Sequence, residues 1–442
     1  MRLPGNGLSL LSKKLIQING VDATKFLNGL VTSRFLPTID KKKQHTISES
    51  DTQHADLSHI VDIQTNWGLM HEDIYDPDHR ISIRRDGINS MFLNSKGRIV
   101  LDCFLYANRF HGEDLQLYPN YLIEVNSRIA SQLQAILNLH KLSTKVDISV
   151  KPLHSYYYYN DTVQFDQWLD YIQAKYFNTA DPVNGLQMAN SFIRDEVMFK
   201  KPFGESIVGF AIDNRIPNFG VKFITDQEIN EPIFSENFPF EQNFVPEAAV
   251  TQRRFVNGLF EIGDAPRGMS LLPFESNLDF TNGLSLEKGC YVGQELTIRT
   301  FNNGTTRKRV VPVQFFDMID DLQQVTAQDY ITLDVQAPVV QDLQGLESPE
   351  SLLITPLFER EEKQQPKDTV VSPFGNSKPV RQRKTTSGKL LSIQDNLGFV
   401  LINLNDVESN KLFKIEIPGE NGPKQIGIRV FEPDWWPQDE EE

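Results

Sequence analysis

The residue types most capable of chemistry lie together in one short segment, residues 286–299. Within it, Cys290 is bracketed by two glycines, and Lys288 lies two positions before it. The residues from Gln294 onward have the composition of a short helix, so the sequence predicts Cys290 at or just before a helix N-terminus. Free N–H groups and the helix dipole favour an anion at that position, and the lysine adds a positive charge. Both effects would stabilise the thiolate, the form that attacks electrophiles and binds soft metals.

The glycines suggest a backbone role beside this thiol. Gly289 is interpreted as a position where the backbone either adopts φ > 0 or comes close to another group. A buried cysteine that acts only as a small hydrophobe is the alternative, and the sequence leaves both interpretations open. The loop residues expected to shape the surroundings of Cys290 are Lys288, Gly289, Tyr291, Gly293, Gln294 and Glu295.

The supply of metal-capable side chains limits what this thiol can do alone. The 442 residues contain two cysteines, Cys103 and Cys290, and all eight histidines lie between His45 and His154. This excludes a disulfide framework and a four-thiolate site, and it indicates a reducing compartment. No histidine accompanies Cys290 in sequence, and no HExxH or CxxC motif is present, so we assign no catalytic residues. An enzyme that uses Cys290 as a nucleophile is a weaker alternative. An iron-sulfur cluster normally takes four ligands, so Cys290 would supply a share and a second protein or second copy the rest.

Charge and hydropathy exclude two further classes of protein. The chain has 44 Lys and Arg against 59 Asp and Glu, a formal net charge of −15. Nucleic-acid binding is not expected, because that interaction depends on basic residues that neutralise phosphates. The longest apolar runs, such as 207–212, are far shorter than the ~18 residues that cross a bilayer, so no integral membrane association is predicted.

The first 160 residues alternate between strand-like and helix-like patterns. The run at 15–19 alternates into a turn at Asn19-Gly20, and Asp22 is a plausible N-cap for the helix that follows. Hairpin-like connections favour an α+β arrangement over a doubly wound parallel sheet, and no dinucleotide or P-loop motif is present. The four tyrosines at 156–159 are interpreted as a strand with aromatic packing. The patterns predict strands over 15–19, 90–94, 99–106, 121–125 and 146–150, and helices over 22–31 and 129–140.

Residues 1–21 have two interpretations. They contain Arg2, Lys13 and Lys14 without an acidic residue, which is compatible with the end of a mitochondrial presequence, or transit peptide. The alternating pattern at 15–19 favours a strand of the folded protein instead.

The C-terminal third has a different sequence pattern from the rest of the chain. Short strands with intervening turns over 301–434 predict a small β-barrel or sandwich. Within it, 341–387 is predicted to be a mobile insertion, whose basic part, 366–388, is either a plain loop or a docking segment for an acidic partner. Residues 37–66 are predicted to be a solvated hydrophilic insertion, and 435–442 an acidic tail. The predicted barrel strands are 310–315, 388–393, 398–402 and 426–430.

The segment 288–295, Lys-Gly-Cys-Tyr-Val-Gly-Gln-Glu, resembles the signature of the folate-binding-protein-like iron-sulfur cluster assembly factors. These are relatives of the glycine-cleavage T-protein, an aminomethyltransferase. Residues 19–32 resemble the opening strand and helix of that family, 96–98 with Asp102 its first hairpin, and 271–275 the run before the cysteine motif. The long insertions and the basic run at 306–309 resemble the fungal mitochondrial members.

The resemblance implies a fold and a domain organisation. It implies an α+β, aminomethyltransferase-like folate-binding fold, with mixed sheet and helix layers around a central channel, followed by a C-terminal β-barrel domain. The first region would span 9–300 as two interleaved subdomains, and the barrel 301–434.

The resemblance also implies a function. The implied function is that of an assembly factor in the mitochondrial matrix, which acts with A-type scaffold proteins in the maturation of four-iron four-sulfur proteins. Cys290 would be a cluster ligand shared with the partner, and the iron-sulfur cluster a transient cofactor. Such a factor would be non-catalytic, and a monomer when alone.

The alternative implied by the same resemblance is a folate-dependent aminomethyl transferase that uses tetrahydrofolate. Its pterin pocket would include Asp102, Asp213 and Arg215. The sequence departs from the transferases at several positions: Cys290 occupies the place of an acidic residue, and only Asp102 remains of a pair of aspartates. In addition, Asn214 replaces the proline of an Asp-Pro-Arg element, and Lys222 replaces a second arginine.

Overall fold

The chain divides into two compact units. The larger contains Leu3–Arg254, Leu259–Thr306 and Asp434–Glu442, and the smaller contains Met1–Arg2, Phe255–Gly258 and Arg307–Pro433. The predicted insertion at 37–66 and nearly all of the basic segment at 366–388 lie outside the described residues. The computed structural model describes residues 3–35, 67–71, 82–113, 118–179, 182–304, 306–344, 346, 348–358, 386–409, 411–419 and 422–437.

Strands and helices alternate through the larger unit, and strands dominate the smaller one. The strands are β1 (Asn6–Leu11), β2 (Lys13–Asn19), β3 (Leu69–His71), β4 (Ser82–Arg84), β5 (Gly87–Leu93), β6 (Ile99–Ala107), β7 (Asn120–Asn126), β8 (Asp147–Lys151), β9 (His154–Asn160), β10 (Ile207–Ile212), β11 (Val221–Thr225), β12 (Lys308–Asp317), β13 (Leu353–Pro356), β14 (Gly388–Gln394), β15 (Leu397–Asn403), β16 (Leu412–Ile417) and β17 (Lys424–Val430). The helices are α1 (Ala23–Asn28), α2 (Ala130–Lys141), α3 (Val163–Tyr176), α4 (Pro182–Arg194), α5 (Lys201–Gly204), α6 (Glu247–Val256), α7 (Gln294–Asn302), α8 (Leu322–Ala327), α9 (Pro338–Leu343) and α10 (Leu404–Ser409).

A five-stranded antiparallel sheet, in the order β5-β6-β7-β2-β8, forms one half of the larger unit. Successive side chains of each strand point to opposite faces of the sheet. On β2, Ile16 and Ile18 pack with Phe26 of α1, whereas Leu15 packs on the other face with Ala211 of the second sheet. The predicted strands at 15–19, 90–94, 99–106, 121–125 and 146–150 are confirmed.

A four-stranded sheet, in the order β1-β9-β11-β10, forms the other half. The four tyrosines lie on its inner strand β9, and all are buried. Tyr156 and Tyr158 face one apolar core, whereas Tyr157 and Tyr159 face another, smaller one. The predicted strand with aromatic packing is therefore confirmed.

The smaller unit is a closed antiparallel barrel, in the order β12-β15-β14-β13-β16-β17. This confirms the predicted α+β class with a C-terminal β-barrel. The description of 341–387 as a single mobile insertion is wrong for its first part, because β13 pairs with β14 and β16 and closes the barrel. The sequence does not predict β13, because four residues that end in proline are too short to show an alternating pattern. Its partner strands are also distant in sequence.

Two local predictions also change. Asp22 precedes α1 as predicted, but its carboxylate accepts a hydrogen bond from the backbone N–H of Lys145 at 2.8 Å instead of capping the helix. Trp435 and Trp436 were assigned from sequence to an acidic tail, but they pack in the larger unit. Trp435 packs against the core that contains Tyr157 and Tyr159, and the ring centroid of Trp436 lies 5.5 Å from that of Phe280. Among the described residues, no helix is both long and apolar enough to cross a bilayer.

Candidate functional site

Cys290 is exposed and lies on the loop formed by residues 283–293, here called the cysteine loop. The helix α7 follows it at Gln294, with Gly293 as the N-cap, so Cys290 precedes the helix as predicted. Its exposure excludes the alternative of a buried structural cysteine. That description fits Cys103 on β6, where burial raises the pKa of the thiol well above its usual value.

The cysteine loop is attached on both sides of Cys290 to one segment, residues 29–33, here called the anchoring segment. This segment follows α1, whose buried residues hold it against the first sheet. The attachments are Ser285 N–H to the Thr32 carbonyl at 3.0 Å, the Thr32 hydroxyl to the Gly283 carbonyl at 2.7 Å, and Val292 N–H to the Gly29 carbonyl at 3.1 Å. The backbone of the loop is therefore fixed on both sides of Cys290.

Lys288 is a third attachment. Its side chain is buried, with 8% of its surface exposed, and its ammonium donates to the carbonyls of Val31 and of Ser33, the latter at 2.7 Å. The same ammonium lies 4.6 Å from the ring centroid of Tyr291. A buried charge needs such partners. The Lys288 side chain therefore turns inward and anchors the loop. An effect of its charge on the thiol stays a prediction.

The glycines of the loop have different roles. Gly293 has φ +83°, and a Cβ there would lie 2.5 Å from the carbonyl oxygen of Asn94 and 2.9 Å from the Cβ of Leu93. A Cβ at Gly97, in the turn between β5 and β6, would lie 2.9 Å from the carbonyl oxygen of Gly293. The interpretation of Gly289 is wrong, because its φ is not positive and nothing lies within 4 Å of an added Cβ.

Alanine substitutions should separate these two glycines. We expect Gly293→Ala to lower the free energy of unfolding of the larger unit by about 3 kcal/mol, because it adds both φ strain and a clash with backbone. Gly289→Ala should change it by less than about 0.5 kcal/mol, as for open surface sites. Urea denaturation of both variants checks this, and equal effects would contradict the assignment.

The other predicted loop residues support the loop. Tyr291 is buried, and burial raises its pKa to about 12, so it stays neutral and packs beneath the loop. The side-chain carbonyl of Gln294 accepts from the backbone N–H of Tyr291 at 3.3 Å. Glu295 is exposed in the first turn of α7, where an acidic residue is favoured by the helix dipole.

Asp102, Asp213 and Arg215, the predicted pterin-pocket residues, are brought together in a buried ion-pair cluster. Arg215 Nε lies 2.8 Å from Asp213 Oδ1, and its Nη1 lies 2.7 Å from Glu261 Oε1. Asp102 Oδ2 accepts from the backbone N–H of Ile262 at 3.0 Å.

The sequence interpretation missed half of this cluster. Glu124 lies 2.8 Å from the Lys222 ammonium, and Lys13 and Arg254 both approach Glu261. Glu124 did carry a signal, since it is a charged residue within the otherwise apolar strand β7.

The charges of the cluster set the protonation of its carboxyls. Burial alone would raise the pKa of Glu261, but attraction to Arg254, Lys13 and Arg215 outweighs it and holds that pKa well below its usual range. The pKa of Asp213 is also lowered, because attraction to its charged neighbours, chiefly Arg215, outweighs the effect of burial. Asp102 shifts the other way, because burial and repulsion from Glu261 both raise its pKa.

The cavity beside these residues is small. Its volume is about 20 Å³, and Asp102, Glu124, Arg215, Lys222 and Glu261 line it. This is room for about one water molecule, whereas ligand pockets commonly measure about 300–1,000 Å³. The charged groups bind one another, so the residues present do not fit tetrahydrofolate in this arrangement.

The fold and the site together define a class: an α+β unit that displays one anchored, exposed cysteine, joined to a C-terminal β-barrel. Residues 307–438 match the family described as CAF17, C-terminal beta-barrel domain. A solved structure similar to this chain is the glycine cleavage system aminomethyltransferase T from Bartonella henselae, with a TM-score of 0.47 and 12% identity over 98% of this chain and 87% of that one.

Two relatives match over essentially their whole length. The iron-sulfur cluster assembly factor IBA57 homolog, mitochondrial, of Debaryomyces hansenii is 57% identical over 99% of this chain and 100% of the relative. The protein of the same name from Candida albicans is 54% identical, again over 99% and 100%. The chain belongs to the IBA57 family of mitochondrial iron-sulfur cluster assembly factors. The resemblance seen in the sequence is thereby confirmed.

Proposed function

We propose that this protein is an assembly factor of the mitochondrial matrix in which Cys290 supplies one ligand to an iron-sulfur cluster that a partner protein also holds. The observation that carries the proposal is the exposed thiol on a loop anchored at both ends. The names of the relatives, which are mitochondrial cluster assembly factors, support the setting.

A single protein ligand suits transfer of a cluster. Each cluster takes about four ligands, mostly thiolates, so a partner must hold the remaining positions. Among the described residues, no group of three or more His, Cys, Asp or Glu is placed to hold a metal ion. Because the loop is fixed, binding of its thiolate to a cluster costs little conformational entropy. Release of the cluster then requires the replacement of this one ligand.

The partners and clients follow from the sequence resemblance. The partner is an A-type scaffold protein, and the recipients are four-iron four-sulfur proteins. The protein then acts as a ligand and adaptor without turnover. Strands β1 and β2 lie within residues 6–19 and belong to the folded sheets, so a transit peptide removed on import would not include them.

The alternative, a folate-dependent aminomethyl transferase, is less well supported. Its predicted pocket residues pair with one another around a cavity of about 20 Å³. Calorimetric titration with tetrahydrofolate should therefore give no heat of binding, and micromolar affinity would favour the transferase.

The proposal is tested by anaerobic mixing of the full chain with a cluster-loaded A-type scaffold protein. We expect a complex that retains visible iron-sulfur absorption, with a native mass equal to both proteins plus the cluster. Failure to form any complex, or a complex without iron, would contradict the proposal.

A further inference from the structure

A second surface feature lies apart from Cys290, in a groove of the larger unit with a volume of about 680 Å³. Its walls are the start of β6, the start of α2 and the segment 262–271. The volume is in the range of about 300–1,000 Å³ that is common for binding pockets. Its apolar lining is Ile99, Val100, Ile129, Ile262, Ala265, Pro266, Met269 and Leu271.

The charge of this groove is opposite to that of the protein. Two arginines, Arg128 and Arg267, line it, and none of its lining residues is acidic, although the chain as a whole has a net charge of −15. Both arginines are exposed. Within the described part of the chain, neither guanidinium has an ion-pair partner, in contrast to Arg215 and Arg254 of the buried cluster.

The groove is connected to the cysteine loop through one short turn. The backbone N–H of Ile99 donates to the carbonyl of Leu271 at 2.9 Å, which joins two walls of the groove. Two residues earlier, Gly97 packs against Gly293, at the end of the cysteine loop, and against Leu296 of α7. The short segment 97–99 therefore contacts the cysteine loop at one end and lines the groove at the other.

We propose that the groove is a docking site for an extended acidic segment of a partner protein, with apolar side chains between its carboxylates. The apolar lining would take the apolar side chains. Arg128 and Arg267 would bind carboxylates, for which a planar guanidinium with several donors is well suited. The lack of any acidic side chain in the lining removes the repulsion that such a segment would meet elsewhere on this acidic surface.

The inference does not depend on the cluster. It can be tested with a probe that contains neither cysteine nor iron: a fluorescein-labelled, terminally blocked heptapeptide in which Asp or Glu alternates with Leu or Phe. Its binding to the full chain is followed by fluorescence anisotropy. A peptide of the same apolar residues with Lys in place of the acids is the charge control.

Two variants address the two halves of the groove. Arg128→Glu with Arg267→Glu reverses the charge. Gly263→Trp fills the groove, and it is tolerated by the backbone because φ at Gly263 is not positive and an added Cβ lies 3.6 Å from Asn126 Nδ2. The matched control is Arg194→Glu with Lys201→Glu, which makes the same charge change at exposed positions of the same unit.

We expect the acidic peptide to bind and the basic peptide not to bind. Charge reversal should weaken binding by about tenfold or more, and Gly263→Trp by a similar factor, whereas the Arg194/Lys201 control should change it less than about threefold. No binding of the acidic peptide at millimolar concentration, or equal binding by all variants, would overturn the inference.

Three other outcomes would also overturn it. Binding of a single-stranded oligonucleotide, or of vesicles rich in anionic lipid, that depends on Arg128 and Arg267 and competes with the peptide would assign the groove to phosphate. A dimer of the chain that Gly263→Trp dissociates would assign it to a second copy.

Discussion

Replacement of Cys290 by serine is expected to abolish the visible iron-sulfur absorption of the complex with an A-type scaffold protein, while the protein remains folded. A serine hydroxyl is not deprotonated at neutral pH and is a hard, poor ligand for iron in a sulfide cluster, whereas a thiolate is the usual one. The side chain is exposed, so the free energy of unfolding should change by less than about 0.5 kcal/mol. Absorbance, native mass and thermal denaturation of the same samples give both measurements.

Cys103 offers the matched control for this prediction. It is the other cysteine of the chain and is buried in the core that contains Ile16, Ile18 and Phe26. Cys103→Ala should destabilise the protein by about 1 to 2 kcal/mol, through the loss of a buried sulfur, and leave the cluster complex intact. An unchanged cluster spectrum in Cys290→Ser, or its loss in folded Cys103→Ala, would contradict the role given to Cys290.

The second large effect is expected at the buried ion-pair cluster. Arg215→Met should lower the free energy of unfolding of the larger unit by about 3 to 5 kcal/mol, because Asp213 and Glu261 would each lose a buried partner. The control is Arg194→Met, whose ion pair with Asp195 is exposed and should contribute less than about 1 kcal/mol. Urea denaturation at pH 7 measures both. A loss below that of the exposed pair would show that the cluster does not stabilise the fold.

The same cluster predicts a dependence of stability on pH. The pKa values of Asp213, Glu261 and Glu124 are lowered in the folded protein. Groups of this kind stabilise the fold above their unfolded pKa, near about 4, and this stabilisation is lost as pH falls through their lower folded values. Asp102, whose pKa is raised, opposes the trend. The stability difference between wild type and Arg215→Met should therefore shrink as the pH is lowered from 7 toward 3, and a constant difference would contradict this.

Much of the fold was accessible from local pattern. The strands β2, β6 and β7 are apolar runs of strand length bounded by turns, and α2 has the apolar spacing of a helix, so both signals lie within the segment itself. The strand β13 could not be predicted from local pattern. Its four residues pair with β14 and β16, so its existence depends on partners far away in sequence.

The ion-pair cluster shows the same limit at the level of the site. Asp102, Asp213 and Arg215 were named from resemblance, but Glu124 and Glu261 join them only because separate strands and loops converge. The pocket inferred from the resemblance is, in the folded protein, a set of charged groups that pair with one another.

By itself, the sequence determined which atom is the candidate cluster ligand: the sulfur of one cysteine between glycines in the segment 288–295, in a chain with two cysteines in all. Only the tertiary structure decided how that thiol is presented. Lys288 turns toward the anchoring segment, Gly293 and not Gly289 meets the strict steric demand, and Cys290 is exposed. The physical reason is that side-chain identity is a local property, whereas burial, the direction of a charge and the space around a glycine are set by segments distant in the chain.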